Sequence, residues 1–378
     1  MNPDLLIIGG GVIGLSIARE LHKKGARNIV IVDKGICGHE ASWAAAGMLT
    51  PQSEADETGP FFDLCVESRD LFPQFAAELF DETGIDIELD RTGTLSLAFN
   101  DLESRELLDR YRRQMNAGIA VESLSQEEVL RREPCLAANV AMGLFFENDW
   151  QVENRKLVNA LRRYAELNGI TLVENTDVKR LIFDRHRVIE AQTTDGRIGA
   201  GQTVLATGAW TSLIKLGGGA FPFSIEPVRG QIIAFEPGKR LLCHVVHSPR
   251  GYIVPRRDGR LLVGSTSEHQ GFEDSVTRDA RRILTAAACE IAPWFKGLEV
   301  VDQWSGLRPF APDGLPVLGR LDSIDNLFVA TAHYRNGILL APVTAGIIAH
   351  SLLDGVESEY CVAFGPDRLG VTSVGAAM

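Results

Sequence analysis

The chain has 378 residues, with 38 Lys+Arg against 50 Asp+Glu and a formal net charge of −12. Its 45% hydrophobic and 23% charged content is that of a globular protein, which excludes disorder and collagen-like repetition. The negative field argues against nucleic acid or an anionic membrane surface as the main partner. At about 150 residues per domain the length suggests two domains. The apolar stretch 337–353 is broken by Pro342 and His350, so no membrane span is expected. The six cysteines form no CxxC pair or zinc-ligand pattern, so they read as reduced thiols with no metal. Asp4 before the apolar residues 5–18, and the glycines within them, argue against a leader peptide and for a cytoplasmic protein.

In chain order, Leu5-Leu6-Ile7-Ile8 predicts a buried strand, Gly9 to Gly14 a tight turn, and Leu15, Ala18 and Leu21 the apolar face of a helix. Ile29-Val30-Ile31-Val32 predicts a second strand ending at Asp33. In this βαβ unit Gly9, Gly11 and Gly14 make GxGxxG. Gly9 suits the turn, Gly11 lets backbone approach a pyrophosphate, and Gly14 lets helix and strand pack closely. Asp33, nineteen residues beyond Gly14, is placed to accept from ribose hydroxyls. The unit points to a dinucleotide and leaves NAD and FAD both open.

Ala41-Ser42-Trp43-Ala44-Ala45-Ala46-Gly47-Met48 is poor in bulk, which suits backbone lying against a planar ligand or simply a tightly packed helix. Strand-like alternation follows at 85–89 and 93–98, then an amphipathic helix at 102–117, and short strands at 231–235, 251–255 and 261–264. Residues 203–208 and 327–332 predict buried strands. The latter leads through residues 333–337 into a helix over 338–353 whose N-terminus points at the nucleotide. The expected fold is therefore α/β, with a Rossmann-like nucleotide-binding domain in three segments (1–84, 147–218 and 302–364). A second α+β substrate domain, 85–146 and 219–301, is expected on a mixed or antiparallel sheet. Residues 365–378 are expected to form a C-terminal tail, with 370–378 loose.

Arg335 lies in a nearly uncharged stretch with no Asp or Glu between Asp325 and Asp354, so burial is expected. A buried guanidinium needs a partner, either a ligand carboxylate or an acidic side chain from elsewhere in the fold. Arg308 has Asp313 as a nearby alternative partner, Tyr252 reads equally as strand packing, and His333 reads as structural.

The blocks GGGVIG, ASWAAAGML, TVLATGAW, PVRGQ, GYIVPR, WSGLRPFAPDGLPVLG and HYRNGILLAP, in this order across most of the chain, resemble the FAD-dependent amine oxidases of the D-amino-acid oxidase type. Among these they are similar to the bacterial glycine oxidases of the thiamine pathway. The resemblance implies that FAD is held by Gly9, Gly11, Val12, Ile13, Gly14, Asp33, Lys34, Ala41, Ser42, Ala46, Gly47 and Met48. Val178, Thr207, Gly208, His333, Tyr334, Asn336, Gly337, Ile338 and Leu339 complete that set. It gives Arg335, Arg308 and Tyr252 the task of binding and orienting a substrate carboxylate. The implied reaction takes a small amino acid (glycine, sarcosine or a small D-amino acid) and dioxygen to a 2-oxo acid, ammonia and hydrogen peroxide. The alternative is a D-amino-acid or 2-hydroxy-acid dehydrogenase with another acceptor. Some relatives attach FAD through a cysteine just before the turn matching Pro312-Asp313; residues 305–311 hold none, so a non-covalent flavin is expected. The resemblance also implies a homo-oligomer, with a tetramer as the family's form.

Overall fold

The computed structural model describes residues 1–54 and 57–370. Its first strand β1 (Leu5–Ile8), helix α1 (Val12–Lys23) and second strand β2 (Ile29–Val32) form the expected βαβ unit. β1 lies between β2 and Gln202–Leu205, with Thr171–Val173 beyond β2 and Leu327–Thr331 beyond 202–205, all parallel. Val317–Arg320 closes the far edge antiparallel, giving a six-stranded sheet.

Strand periodicity builds three layers. Leu5, Ile7, Ile29 and Ile31 face one way, into a core shared with α1 and the helices Pro60–Thr83, Asn154–Leu167 and Ala341–Asp354. Leu6, Ile8, Val30 and Val32 face the other way, onto a four-stranded sheet that contributes Val178, Leu181, Val188 and Ala191. Both faces are covered, so these strands read as unbroken apolar runs rather than alternating ones.

A separate eight-stranded sheet runs in the order 300–310, 226–235, 261–264, 251–255, 245–248, 94–98, 142–146, 122–125. Only the 245–248 and 94–98 pair is parallel. Alternation decides its two faces. Ile233, Phe235 and Ile253 pack into a core with the helix Arg278–Ile291, whereas Ile232, Ala234, Tyr252 and Val254 look the opposite way, toward Ala46. The α/β class with a mixed second sheet is thus the observed architecture.

Four sequence expectations need correction. Residues 85–89 form no strand: Asp86 Oδ1 accepts from the Glu88 amide at 2.7 Å, turning the chain, and Ile87 is buried in the helical core instead. Residues 302–310, expected in the nucleotide-binding segment, pair with Glu226–Phe235 in the eight-stranded sheet. Phe221, Phe223 and Ile225, expected in the second domain, pack with the four-stranded sheet. The helix expected from 338 begins at Ala341, because 337–340 form a turn in which the Leu340 amide donates to Asn336 O at 2.8 Å. Of the expected tail, Pro366–Leu369 forms a 3₁₀ turn, and the expectation of looseness concerns residues that, from 371 on, lie outside those described.

Candidate active site

The three layers and the eight-stranded sheet line one continuous cleft that opens to solvent. One end is the βαβ turn. Gly9 has φ +102°, and a Cβ there would stand 2.3 Å from Ala206 O; a Cβ on Gly14 would stand 1.9 Å from Gly9 O. These two glycines are therefore required by the turn and by the close approach of α1 to β1. Gly11 differs: its nearest neighbour would be Ser42 Oγ at 3.3 Å, and it faces the cleft. Among the described residues, no acceptor meets the amides of Gly11, Ile13 and Gly14, while the Val12 amide donates to Ser42 Oγ at 2.9 Å. Orphan amides at a helix N-terminus, beside open space, suit a pyrophosphate.

Asp33 lines the same end, but its carboxylate has an internal task that the sequence did not reveal. Its Oδ2 accepts from the Gly10 amide at 2.7 Å and its Oδ1 from the Gly35 amide at 2.8 Å, fixing the turn. Lone pairs remain for ribose hydroxyls. Lys34, Val178, Thr207 and Gly208 line this end as expected. Trp210, missed in the sequence reading, lies under the Lys34 ammonium at 3.9 Å from its ring centre.

The middle wall is the small-residue segment. Ala41–Ala44 forms a short helix against Gly306, where a Cβ would approach Ala44 Cβ to 2.5 Å, so small residues are a packing requirement here. Gly47 has φ +71° and no room for a Cβ, which would fall 2.1 Å from Val152 O. Buried Arg256 holds the segment from behind, donating to Ala46 O at 2.8 Å, Val152 O at 2.8 Å and Asn154 Oδ1 at 3.0 Å. Its role had no signal beyond the GYIVPR block. Ala41, Ser42, Ala46, Gly47 and Met48 all line the cleft.

At the other end stand Tyr252, Arg308, Tyr334 and Arg335. Tyr252 is placed there by the strand alternation that buries Ile253 on the opposite face. Burial raises its hydroxyl above the ordinary phenol value, so it remains a hydrogen-bond donor. Arg308 donates to Ser265 Oγ at 2.7 Å and to Thr266 O at 3.1 Å. Gly230 makes room for its guanidinium, which a Cβ would meet at 2.1 Å. Asp313, the alternative partner, is taken by Arg368 at 2.7 Å, and among the described residues no carboxylate pairs with Arg308. Desolvation lowers the Arg308 pKa without removing its charge.

Arg335 departs from expectation in burial and in partner. Its side chain is 40% exposed, and its Nη2 donates to Glu54 Oε1 at 3.3 Å. The local search of the sequence found no acid because the partner is 281 residues away. Both residues line the cleft, and Glu54 raises the arginine's pKa. The loop that carries Arg335 has positive φ at Ala332 and Tyr334, and the Tyr334 amide donates to Pro309 O at 3.0 Å, which ties Arg335 to the strand bearing Arg308.

His333 is buried, with Nε2 3.0 Å from Thr344 Oγ1, and burial pushes its pKa down to about 3. Its ring is therefore neutral, and it also lines the cleft. Asn336, Gly337 and Ile338 line the cleft, and among the described residues the Gly337 and Ile338 amides meet no acceptor. Gly14 and Leu339 support the wall from behind: Leu339 O accepts from Ser68 Oγ at 2.6 Å.

Comparison with known proteins adds a family. The model of the family described as "DAO: FAD dependent oxidoreductase" matches residues 4–351. The glycine oxidase of Geobacillus kaustophilus is 38% identical over 362 residues, 95% of each chain. That of Pseudomonas aeruginosa is 34% identical over 359 residues, 94% of this chain and 96% of its own. The bifunctional protein ThiO/ThiG of Synechocystis is 37% identical over 98% of this chain, which spans 55% of that relative. A crystal structure of glycine oxidase from Geobacillus kaustophilus superposes with a TM-score of 0.90 over 98% of both chains at 37% identity.

Proposed function

Because the chain belongs to the FAD-dependent oxidoreductase family, we propose that its cleft holds FAD along the βαβ turn and oxidises glycine and other small amino acids. The products are a 2-oxo acid, ammonia and hydrogen peroxide. The observation that carries this reading is the meeting of Arg308, Arg335 and Tyr252 in the same cleft as the orphan amides of Gly11 and Ile13. The fit to FAD rests on those amides, on the uncrowded Gly11, and on a wall of small residues suited to a flat ring.

When bound, FAD would supply the two-electron acceptor that takes the amine to an imine, which water hydrolyses to the 2-oxo acid and ammonia, while dioxygen would restore the cofactor with release of hydrogen peroxide. The chain's own residues position the substrate. Arg308, lacking a carboxylate among the described residues, offers charge-assisted bonds to the substrate's acid group, and Tyr252 donates a third. Arg335 lies at the cleft mouth, able to close on the same group. The orphan amides of Gly337 and Ile338 favour negative charge developing on their side of the cleft. His333, neutral and bonded to Thr344, takes no proton.

We place the enzyme in the cytoplasm, in keeping with six free cysteines, and as a homo-oligomer by family likeness. Among the described residues, no helix is long and apolar enough to cross a membrane. The domain reading that follows gives FAD to the six-stranded layer and the substrate's roof to the eight-stranded sheet. Product analysis tests the proposal. Glycine should give glyoxylate, ammonia and hydrogen peroxide in equal amounts; turnover of glycine without peroxide would reject the oxidase.

A further inference from the structure

Among the described residues, the reacting end of the cleft holds three charged side chains, two guanidiniums and the carboxylate of Glu54. All three act on the Tyr252 hydroxyl, which places them in one electrostatic neighbourhood. A site built to bind only an anion gains nothing from a carboxylate there, because like charge repels the ligand and the carboxylate competes for a guanidinium. A zwitterion changes that balance. Its acid group needs a cation and its ammonium needs an anion, and Glu54 is the anion at hand.

Resting on the oxidase reading above, we propose that Glu54 selects zwitterionic substrates: it pairs with Arg335 until an amino acid arrives, then yields Arg335 to the substrate carboxylate and takes up the substrate ammonium. The geometry suits such an exchange. The Glu54 to Arg335 contact, at 3.3 Å, is a single and long one, and the Arg335 side chain is 40% exposed whereas that of Glu54 is 15% exposed. Glu54 ends the short helix Pro51–Glu54, whose backbone is fixed by Asp149: Oδ1 accepts from Gln52 N at 3.0 Å and Oδ2 from Ser53 N at 2.7 Å. The carboxylate of Glu54 is thus presented from an anchored turn, and Arg335 is the freer partner.

A carboxylate lacking an amine must displace Glu54 and leave it without a partner, whereas an amino acid satisfies both groups. The test compares acetate with glycine on the FAD-loaded protein. Acetate binding is read from the flavin spectrum, and glycine binding from the concentration dependence of the rate of anaerobic flavin bleaching. In Glu54→Gln, acetate should bind about tenfold more tightly and glycine about tenfold more weakly than in the wild type. Glu54→Asp, which keeps the charge, should retain most of the wild-type preference and guards against a general disturbance of the turn. Equal shifts of both ligands in Glu54→Gln would overturn the proposal. A wild-type flavin that answers to neither ligand would instead refute the oxidase reading on which it rests.

Discussion

Arg308 is partly buried and, among the described residues, meets only hydroxyl and carbonyl acceptors, Ser265 Oγ and Thr266 O, whereas Arg335 is more exposed and leans on Glu54. The two should therefore respond differently to removal. A desolvated guanidinium without a carboxylate is a cost to folding, so Arg308→Met should raise the stability of the FAD-loaded protein by on the order of 1 kcal/mol while weakening acetate. Denaturant midpoints and acetate titrations on one sample check both directions; loss of stability would show that Arg308 is structural. Arg335→Leu should keep the flavin spectrum and weaken acetate by roughly 2 kcal/mol, toward the lower range for a charged hydrogen bond because the pair is half open to water. Unchanged affinity would remove Arg335 from the clamp. Arg335 was legible as a residue in need of a partner, but the partner was not. Glu54 and Ser265 meet these arginines only through the tertiary fold, and neither stands in a local pattern.

At the scale of elements, the βαβ turn was the most legible part because its glycine spacing and flanking apolar runs are a local pattern, although the carbonyl that bars a Cβ at Gly9 belongs to Ala206, from a distant strand. Gly11→Val should place methyls in the cleft and abolish FAD binding without preventing the chain from folding, a result read from flavin absorbance and circular dichroism together. Retained flavin would misplace the pyrophosphate. The start of the last long helix was less legible, since residues 337–340 share its apolar character but form a turn. His333 packs on that helix through Thr344 and has its pKa depressed to about 3 by burial. The unfolded chain takes up a proton near pH 6.5 and the folded ring does not. Stability from the neutral ring is thus fully present above pH 6.5 and lost as pH falls toward 3. His333→Asn should flatten this dependence, reducing the loss between pH 6.5 and 4.5 by roughly 2 kcal/mol in urea titrations. Parallel curves for the two proteins would contradict it.

Across the whole molecule, the parallel six-stranded sheet was readable because its strands are buried on both faces and appear as apolar runs. The division of the chain was less so. The strand Val300–Phe310 crosses to the eight-stranded sheet, and residues 221–225 stay with the four-stranded one, because pairing between distant strands outweighs position along the chain. That crossing matters for function, since it brings Arg308 over the wall formed by Ala41–Ala44. The flavin is expected to be held without a covalent link, so denaturation should release all of it into the filtrate; colour remaining with the precipitate would show attachment. The central claim is that one cleft joins an FAD site to a carboxylate clamp. Its most direct test is anaerobic addition of glycine to the purified yellow protein. The account predicts bleaching of the flavin at a rate that saturates with glycine and falls in Arg308→Met, and a flavin that stays oxidised at saturating glycine would contradict it.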